Sequence, residues 1–215
     1  TGPLTIDATT VLRAAAFKPY YAPTRIDTQT YLIGESDAVR SLPVISLAAN
    51  EDGTFGVDRG LFADVLLRGM AAEFPVSFEV IDAASHSADQ QDGGIRLEAS
   101  SYQRRILGPD PGAKWSFSVY FRDDYDDQSW LTYPLIERTP VDRFESLTLR
   151  SGYNDSVNPF VKDELGRRLH QDMGSVASVG TFVNVLVNGE LNGNGYYNLV
   201  ERLGEDMFQE KLGSD

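Results

Sequence analysis

The chain contains no cysteine. Disulfides, thiolate nucleophiles and cysteine-based zinc sites are thereby excluded. The compartment stays open, because a secreted chain with a large enough core needs no disulfide. Histidine is almost as scarce, with only His86 and His170 present. They lie far apart, in no ligand pairing, and neither is flanked by a motif that builds a Ser-His-Asp triad or a histidine metal site. His170 falls on the charged side of a predicted helix and reads as a surface side chain. Basic charge is thin too: 19 Lys and Arg stand against 32 Asp and Glu, giving a net charge of −13. A sequence-independent grip on nucleic acid needs clustered Lys and Arg, so no nucleic-acid partner is expected. No apolar run approaches the roughly 18 residues that cross a bilayer, so no membrane span is expected either.

What is present is a core. Hydrophobic residues make up 41% and aromatic residues 11% of 215 positions. That excludes a disordered polymer and suffices for one large or two small domains. The chain opens on Thr1 and stops within a helix-like run, Glu205 to Leu212, so it reads as an internal piece of a longer protein. Acidic residues are spread along it, densest at Asp123-Asp124-Tyr125-Asp126-Asp127. Such a run could hold a hard cation through oxygen ligands, but it lacks the ligand spacing and central glycine of an EF-hand loop. A solvated turn is the reading adopted, with no metal site assigned.

Hydrophobic periodicity gives the elements. Thr10 to Phe17 reads as a short strand, Lys18 to Pro23 as a two-proline turn, and Ile26 to Ile33 as an alternating strand with Ile26, Thr28, Thr30 and Leu32 on one face. Two or three strands are too few for a stable domain, so they either finish a preceding module or pack on the rest of the chain. Gly34 to Asp37 is a polar break and the expected linker. Beyond it, strands are expected at Pro43–Ala48, Phe74–Ile81, Ile95–Ala99, Lys114–Arg122 and Leu147–Arg150, with Ser85 to Asp92 a polar loop. A helix is expected from Asn158-Pro159, a favoured N-cap followed by proline at the first helical position. Its apolar stripe is Val161, Leu165, Leu169 and Met173, its i,i+4 pairs are Asp163–Arg167 and Glu164–Arg168, and Gly174 ends it. Strands Thr181–Val187 and Tyr196–Arg202 come next, joined by a Gly- and Asn-rich turn. The sum is an α+β layer architecture.

The residues alone point weakly to chemistry. Gly108 to Lys114 is a glycine-bearing loop ending in Lys before a strand, and it is not a P-loop because Gly112 is not followed by Lys and no helix succeeds it. A Lys at such a strand start can reach nucleotide phosphates, or it can simply be solvated. Asp163 and Glu164 on the helix, and Glu201 beside Arg202 at a strand end, could hold that Lys or form ordinary surface ion pairs.

A resemblance adds to this. Pro140 to Asp155, carrying Phe144, Leu147, Leu149, Arg150, Gly152, Asn154 and Asp155, resembles a segment of the CotH kinase family. So do Lys114 to Arg122, Tyr133-Pro134-Leu135, Val161 to Gly174, Val187 to Glu190, and Gly195 to Arg202. These blocks stand in the family's order over roughly Leu42 to Leu212. The first 33 residues are similar to the end of a chitobiase/hexosaminidase C-terminal-type β-sandwich. The resemblance therefore implies two units: residues 1–36 as the end of a β-sandwich module, and 37–215 as the front part of a kinase-like N-lobe, an antiparallel sheet with a packed helix.

It further implies use of ATP and Mg²⁺ to phosphorylate a surface or coat protein, in a bacterial extracellular or cell-surface setting. The alternative is a non-catalytic surface module for adhesion or assembly on the same fold. Carried over, Lys114 is the phosphate-contacting Lys, Glu164 or Asp163 the helix acid that holds it, and Glu201 with Arg202 the nucleotide-side pair. Asn154 and Asp155 shape the loop entering the helix, and the catalytic and metal-binding acids are expected downstream of Asp215. Three departures stand out. The family's glycine-rich stretch reads Glu98-Ala99-Ser100-Ser101, Trp115 stands where many members carry a second Lys, and the hairpin at Glu190 to Gly195 is longer and lacks the usual aromatics.

Overall fold

The computed structural model describes residues 2–82, 87–141, 143–153 and 161–213. Strands β1 (Thr10–Ala14) and β2 (Asp27–Tyr31) form an antiparallel hairpin of their own. Helix α1 (Asp37–Arg40), N-capped by Ser36, leads into β3 (Val44–Ala48). Then come β4 (Phe74–Asp82), β5 (Ser87–Glu98), helix α2 (Ser101–Leu107), β6 (Ser116–Tyr120) and β7 (Ser146–Arg150). Helix α3 (Lys162–Asp172), β8 (Gly180–Val187), β9 (Glu190–Glu201) and helix α4 (Glu205–Leu212) complete the order.

Strands β3 to β9 close into a barrel in the order β3-β4-β5-β6-β7-β9-β8. Every neighbouring pair is antiparallel except β3 with β8, which run parallel from Val44↔Asn184 to Leu47↔Val187 and seal the cylinder. The expected α+β class is observed, mostly sheet with few helices. Alternation decides what lies inside. Trp115, Phe117, Val119 and Phe121 point inward with Ile45, Leu47, Val76, Phe78, Val80, Leu147 and Leu149, all buried in one cluster. Burying each such side chain contributes roughly 1.5–3 kcal/mol. Phe78 meets Phe121 edge-on with centroids 5.5 Å apart.

The two ends of the barrel are stopped differently. At one, the loop after β3 inserts Phe55, Leu61 and Phe62, the last 6.0 Å from the Trp115 ring. At the other, α4 inserts Met207, and its Lys211 reaches Glu201 at the end of β9 (2.5 Å). The β8–β9 turn is Asn188-Gly189, both at positive φ, as a tight two-residue hairpin turn requires. Asn188 Oδ1 accepts from the Ala49 N–H (2.9 Å), tying the turn to the end of β3.

Several expectations are corrected here. Of Ser85 to Asp92, read as loop, Ser87 to Asp92 belong to β5 and pair with β4. The segment Glu190 to Gly195 is not the turn but the start of β9, with an irregularity in register between Asn184 and Leu186. The Asn-Gly pair before it had already made the turn, so the extra residues bulge from the strand. Helix α3 inverts its expected face: Val161, Leu165, Leu169 and Met173 are exposed (48%, 55%, 53% and 80%), while Glu164 is buried. The outer wall beneath α3 is polar, so the helix docks through charge and hydrogen bonds rather than its apolar stripe. The expected cap Asn158-Pro159 lies outside the described residues.

The β1–β2 hairpin lies against the outer wall at β3 and β4. The Thr30 N–H donates to Glu79 Oε1 (2.9 Å), and the Thr30 hydroxyl meets both Glu79 and Ser46. Leu32 packs on the small cluster Val39, Val44 and Leu186. Arg25 pairs with Asp126 and Asp127, so the acidic run read as a solvated turn holds a cation of the chain itself.

Candidate functional site: a cleft beside helix α3

Helix α3 is bolted to the barrel by one carboxylate. Glu164 Oε1 accepts from Arg168 Nε (2.7 Å) and from the Gly180 N–H (3.1 Å), while Oε2 accepts from Arg167 (2.9 Å) and Asn198 (3.4 Å). Arg168 also donates to the Gly180 carbonyl (3.1 Å). Burial alone would raise the Glu164 pKa. The Arg168, Gly180 and Arg167 hydrogen bonds together outweigh it and hold the group below its ordinary value. Gly180 permits this approach: a Cβ there would come within 2.3 Å of the Leu199 carbonyl and 3.1 Å of Glu164 Oε2.

Docked this way, α3 overhangs β7 and β9 and leaves a cleft of about 830 Å³. Its walls carry Glu98, Arg150, Lys162, Asp163, Arg167, His170, Glu201 and Arg202, with Val200 and Phe208 among the apolar lining. A second hollow of about 460 Å³ lies beside it and shares Glu98, Arg150 and Asp163. The two meet where Arg150 pairs with Asp163. Among the described residues, the Lys162 and His170 side chains on this wall take part in no ion pair or hydrogen bond, and the Arg202 guanidinium lies over the Tyr120 ring (4.9 Å).

Of the residues singled out from the sequence, the cleft brings together Asp163, Glu201 and Arg202. Lys114 does not line it. Its ammonium donates to the Tyr196 carbonyl (2.8 Å) and lies 4.3 and 5.0 Å from the Tyr196 and Tyr197 ring centroids. Burial there lowers its pKa. The acids expected to hold Lys114 are held by other cations: Asp163 by Arg150, Glu164 by Arg167 and Arg168, and Glu201 by Lys211. The expected i,i+4 pair Glu164–Arg168 is present, whereas Arg167 turns to Glu164 at i,i+3 instead of Asp163. Asn154 and Asp155, expected to shape the loop, lie outside the described residues. Glu201 also accepts from the Val179 N–H (2.9 Å) and from Thr139.

The stretch Glu98 to Ser101, where a glycine-rich loop would approach phosphate, starts a helix instead. Ser100 Oγ accepts from the Gln103 N–H (3.1 Å) as an N-cap. Sequence reasoning missed α2, and with it Arg104, whose guanidinium donates to the carbonyls of Ala99, Val65, Leu67 and Leu97. It also missed Lys162 and Arg150 as cleft residues. The available signal was that Arg150 and Lys162 flank one strand–helix crossover. Among the described residues no group of three or more His, Asp and Glu side chains is placed to hold a metal ion, and no helix is long and apolar enough to cross a membrane.

The CotH kinase protein family model matches residues 112–215. No curated protein and no solved structure matches the chain. The matched segment contains every residue of the larger cleft except Glu98.

Proposed function

We propose that the chain is the front lobe of a CotH-type, nucleotide-dependent phosphotransferase, and that the cleft beside α3 receives the nucleotide phosphates. The observation that carries this reading is the coincidence of two things. The family match covers 112–215, and the cleft inside that segment is walled by Arg150, Lys162, Arg167 and Arg202, in a chain whose net charge is −13. Cations on a cleft wall suit an anionic ligand. Arg150 and Arg167 are fixed by Asp163 and Glu164, while Lys162 and Arg202 are the groups with reach to spare.

The family implies ATP with Mg²⁺ as the source of the phosphoryl group. The chemistry open to these residues is binding and orientation. Lys162 and Arg202 neutralise phosphate oxygens from two sides, and Arg150 fixes Asp163 between them. Lys114, poised between Tyr196 and Tyr197, is retained as the second phosphate contact the resemblance implies. On this reading the protein acts on a surface or coat protein outside the cell, and residues 1–36 finish a preceding β-module.

The alternative, a non-catalytic adhesion or assembly module, is supported by one feature. Ser100 caps a helix where phosphate-binding glycines would stand.

The test is nucleotide binding, by calorimetry, with and without Mg²⁺. The chain is expected to bind ATP, and Lys162→Ala to weaken it about tenfold, the worth of one charge-assisted contact. No saturable binding at millimolar ATP, or Lys162→Ala indistinguishable from the parent, rejects the cleft as the nucleotide site. Phosphate transfer by this chain alone is not expected, because the resemblance puts the metal-binding acids elsewhere.

A further inference from the structure

Three arginines converge on one tyrosine. The Cζ atoms of Arg96, Arg202 and Arg122 lie 4.2, 4.9 and 5.0 Å from the centroid of the Tyr120 ring. Strand register brings them there. Arg96 sits on β5 beside β6, and Arg122 is the second residue beyond β6, on the same face as Tyr120. Tyr120 pairs with Ser146, and Leu147 with Glu201, so Arg202 comes level with that small serine and reaches across it. A ring has two faces, so at least two guanidiniums share one.

One carboxylate serves this group. Glu73, whose side chain is 1% exposed, binds Arg96 at 2.5 Å and Arg122 at 3.1 Å, and takes the Tyr125 hydroxyl at 3.1 Å. Gly94 makes room for it, since a Cβ there would lie 2.5 Å from Glu73 Oε1. Arg96 and Arg122 share that one buried acid, and Arg202 is in no ion pair among the described residues, at a surface where Arg122 is one-third exposed and Arg202 is open. The ring quadrupole attracts each cation, but it carries no net charge to cancel them.

We propose that Arg96, Arg122 and Arg202 around Tyr120 form a recognition site for a phosphate-monoester dianion. Three guanidiniums gathered on one ring, two of them sharing a single carboxylate, suit a multiply charged anion, and planar guanidinium forks match its oxygens. The site shares Arg202 with the α3 cleft, whereas Arg96 and Arg122 do not line that cleft and so distinguish the two.

The experiment tracks the Nε–Hε resonances of arginine in the labelled full chain. Inorganic phosphate, a phosphoserine peptide and ATP are titrated separately at pH 7.5 and 5.5, with sulfate and chloride at matched ionic strength. The Arg96, Arg122 and Arg202 signals are expected to move together and saturate with phosphate at pH 7.5. Affinity should fall severalfold at pH 5.5, where the monoester is mostly monoanionic, while sulfate, a dianion at both, loses little. Arg122→Gln should weaken phosphate at least tenfold, and Arg122→Lys should recover part of it. Saturation by the phosphopeptide, by ATP, or by both supports the site and identifies its source. Shifts no larger than chloride produces, or shifts confined to Arg150 and Arg167, overturn it. The second pattern would leave the nucleotide reading of the α3 cleft standing, whereas an intact response here with no effect of Lys162→Ala on ATP would do the reverse.

Discussion

Replacing Lys211 with Met removes a charge from a place water barely reaches. The Lys211 and Glu201 side chains are 6% and 2% exposed, their N–O distance is 2.5 Å, and Lys211 also donates to the Ala177 carbonyl at 2.7 Å. Methionine keeps most of the stem, so packing changes little and the main effect is electrostatic. Breaking a buried pair by removing one partner typically costs about 3–5 kcal/mol, because the other charge stays behind. Glu201 would retain Val179 and Thr139 as donors, which argues for the low end, about 3 kcal/mol. At roughly 2–4 °C per kcal/mol for a chain of this length, the midpoint should fall by about 6–12 °C. Urea denaturation and calorimetry would measure it. Adding Glu201→Gln should then restore a good part of the loss, since the neutral amide oxygen can still accept from Val179. A loss under about 1 kcal/mol for Lys211→Met, or strict additivity in the double-mutant cycle, would refute the claim that this pair anchors α4 in the barrel mouth.

Two further outcomes are expected. Burial pushes the Glu79 carboxyl above its ordinary pKa, the Thr30 hydrogen bonds opposing it only partly. The favourable contribution of the neutral form is therefore complete below the unfolded-state value and is lost as pH rises through the folded-state value. Glu79→Gln should flatten the part of the stability–pH curve that begins near pH 4, and an unchanged slope in denaturation at pH 4, 5.5 and 7 would count against it. We also propose a unit boundary at residues 34–41: deleting residues 1–34 should leave a cooperatively folding barrel with a midpoint only about 2–4 °C lower, the loss of Leu32 and the Thr30 bonds being worth about 1 kcal/mol. Aggregation or a non-cooperative melt would show instead that the hairpin is integral to the barrel.

The strands were legible because alternation is a local signal. Phe74, Val76, Phe78 and Val80, and then Trp115 through Phe121, name their buried face in order. The helix misled for a physical reason. An apolar stripe predicts burial only when the surface beneath it is apolar, and Asn198, Thr181 and Gly180 make the wall under α3 polar. Nor could spacing reveal Arg104 or the Tyr120 cluster: the first binds backbone carbonyls, which any sequence has, and the second depends on register between four strands. Asp163, Glu201 and Arg202 do share a cleft, but the partner of each acid comes from elsewhere in the chain.

The parallel seam between β3 and β8 has a consequence for synthesis. Val44 meets Asn184, so the first barrel strand must wait for some 140 more residues before its second neighbour exists. Until β8 and β9 are made, β3 to β7 form a five-stranded antiparallel meander with β3 and β7 both unpaired along one side. Closure through such distant contacts pays its loop entropy late, so folding should be slow for the chain's size, and the half-made sheet is the species most open to mispairing. Rescue by a chaperone would be needed most in the interval between the appearance of β7 and that of Glu201, the end of β9.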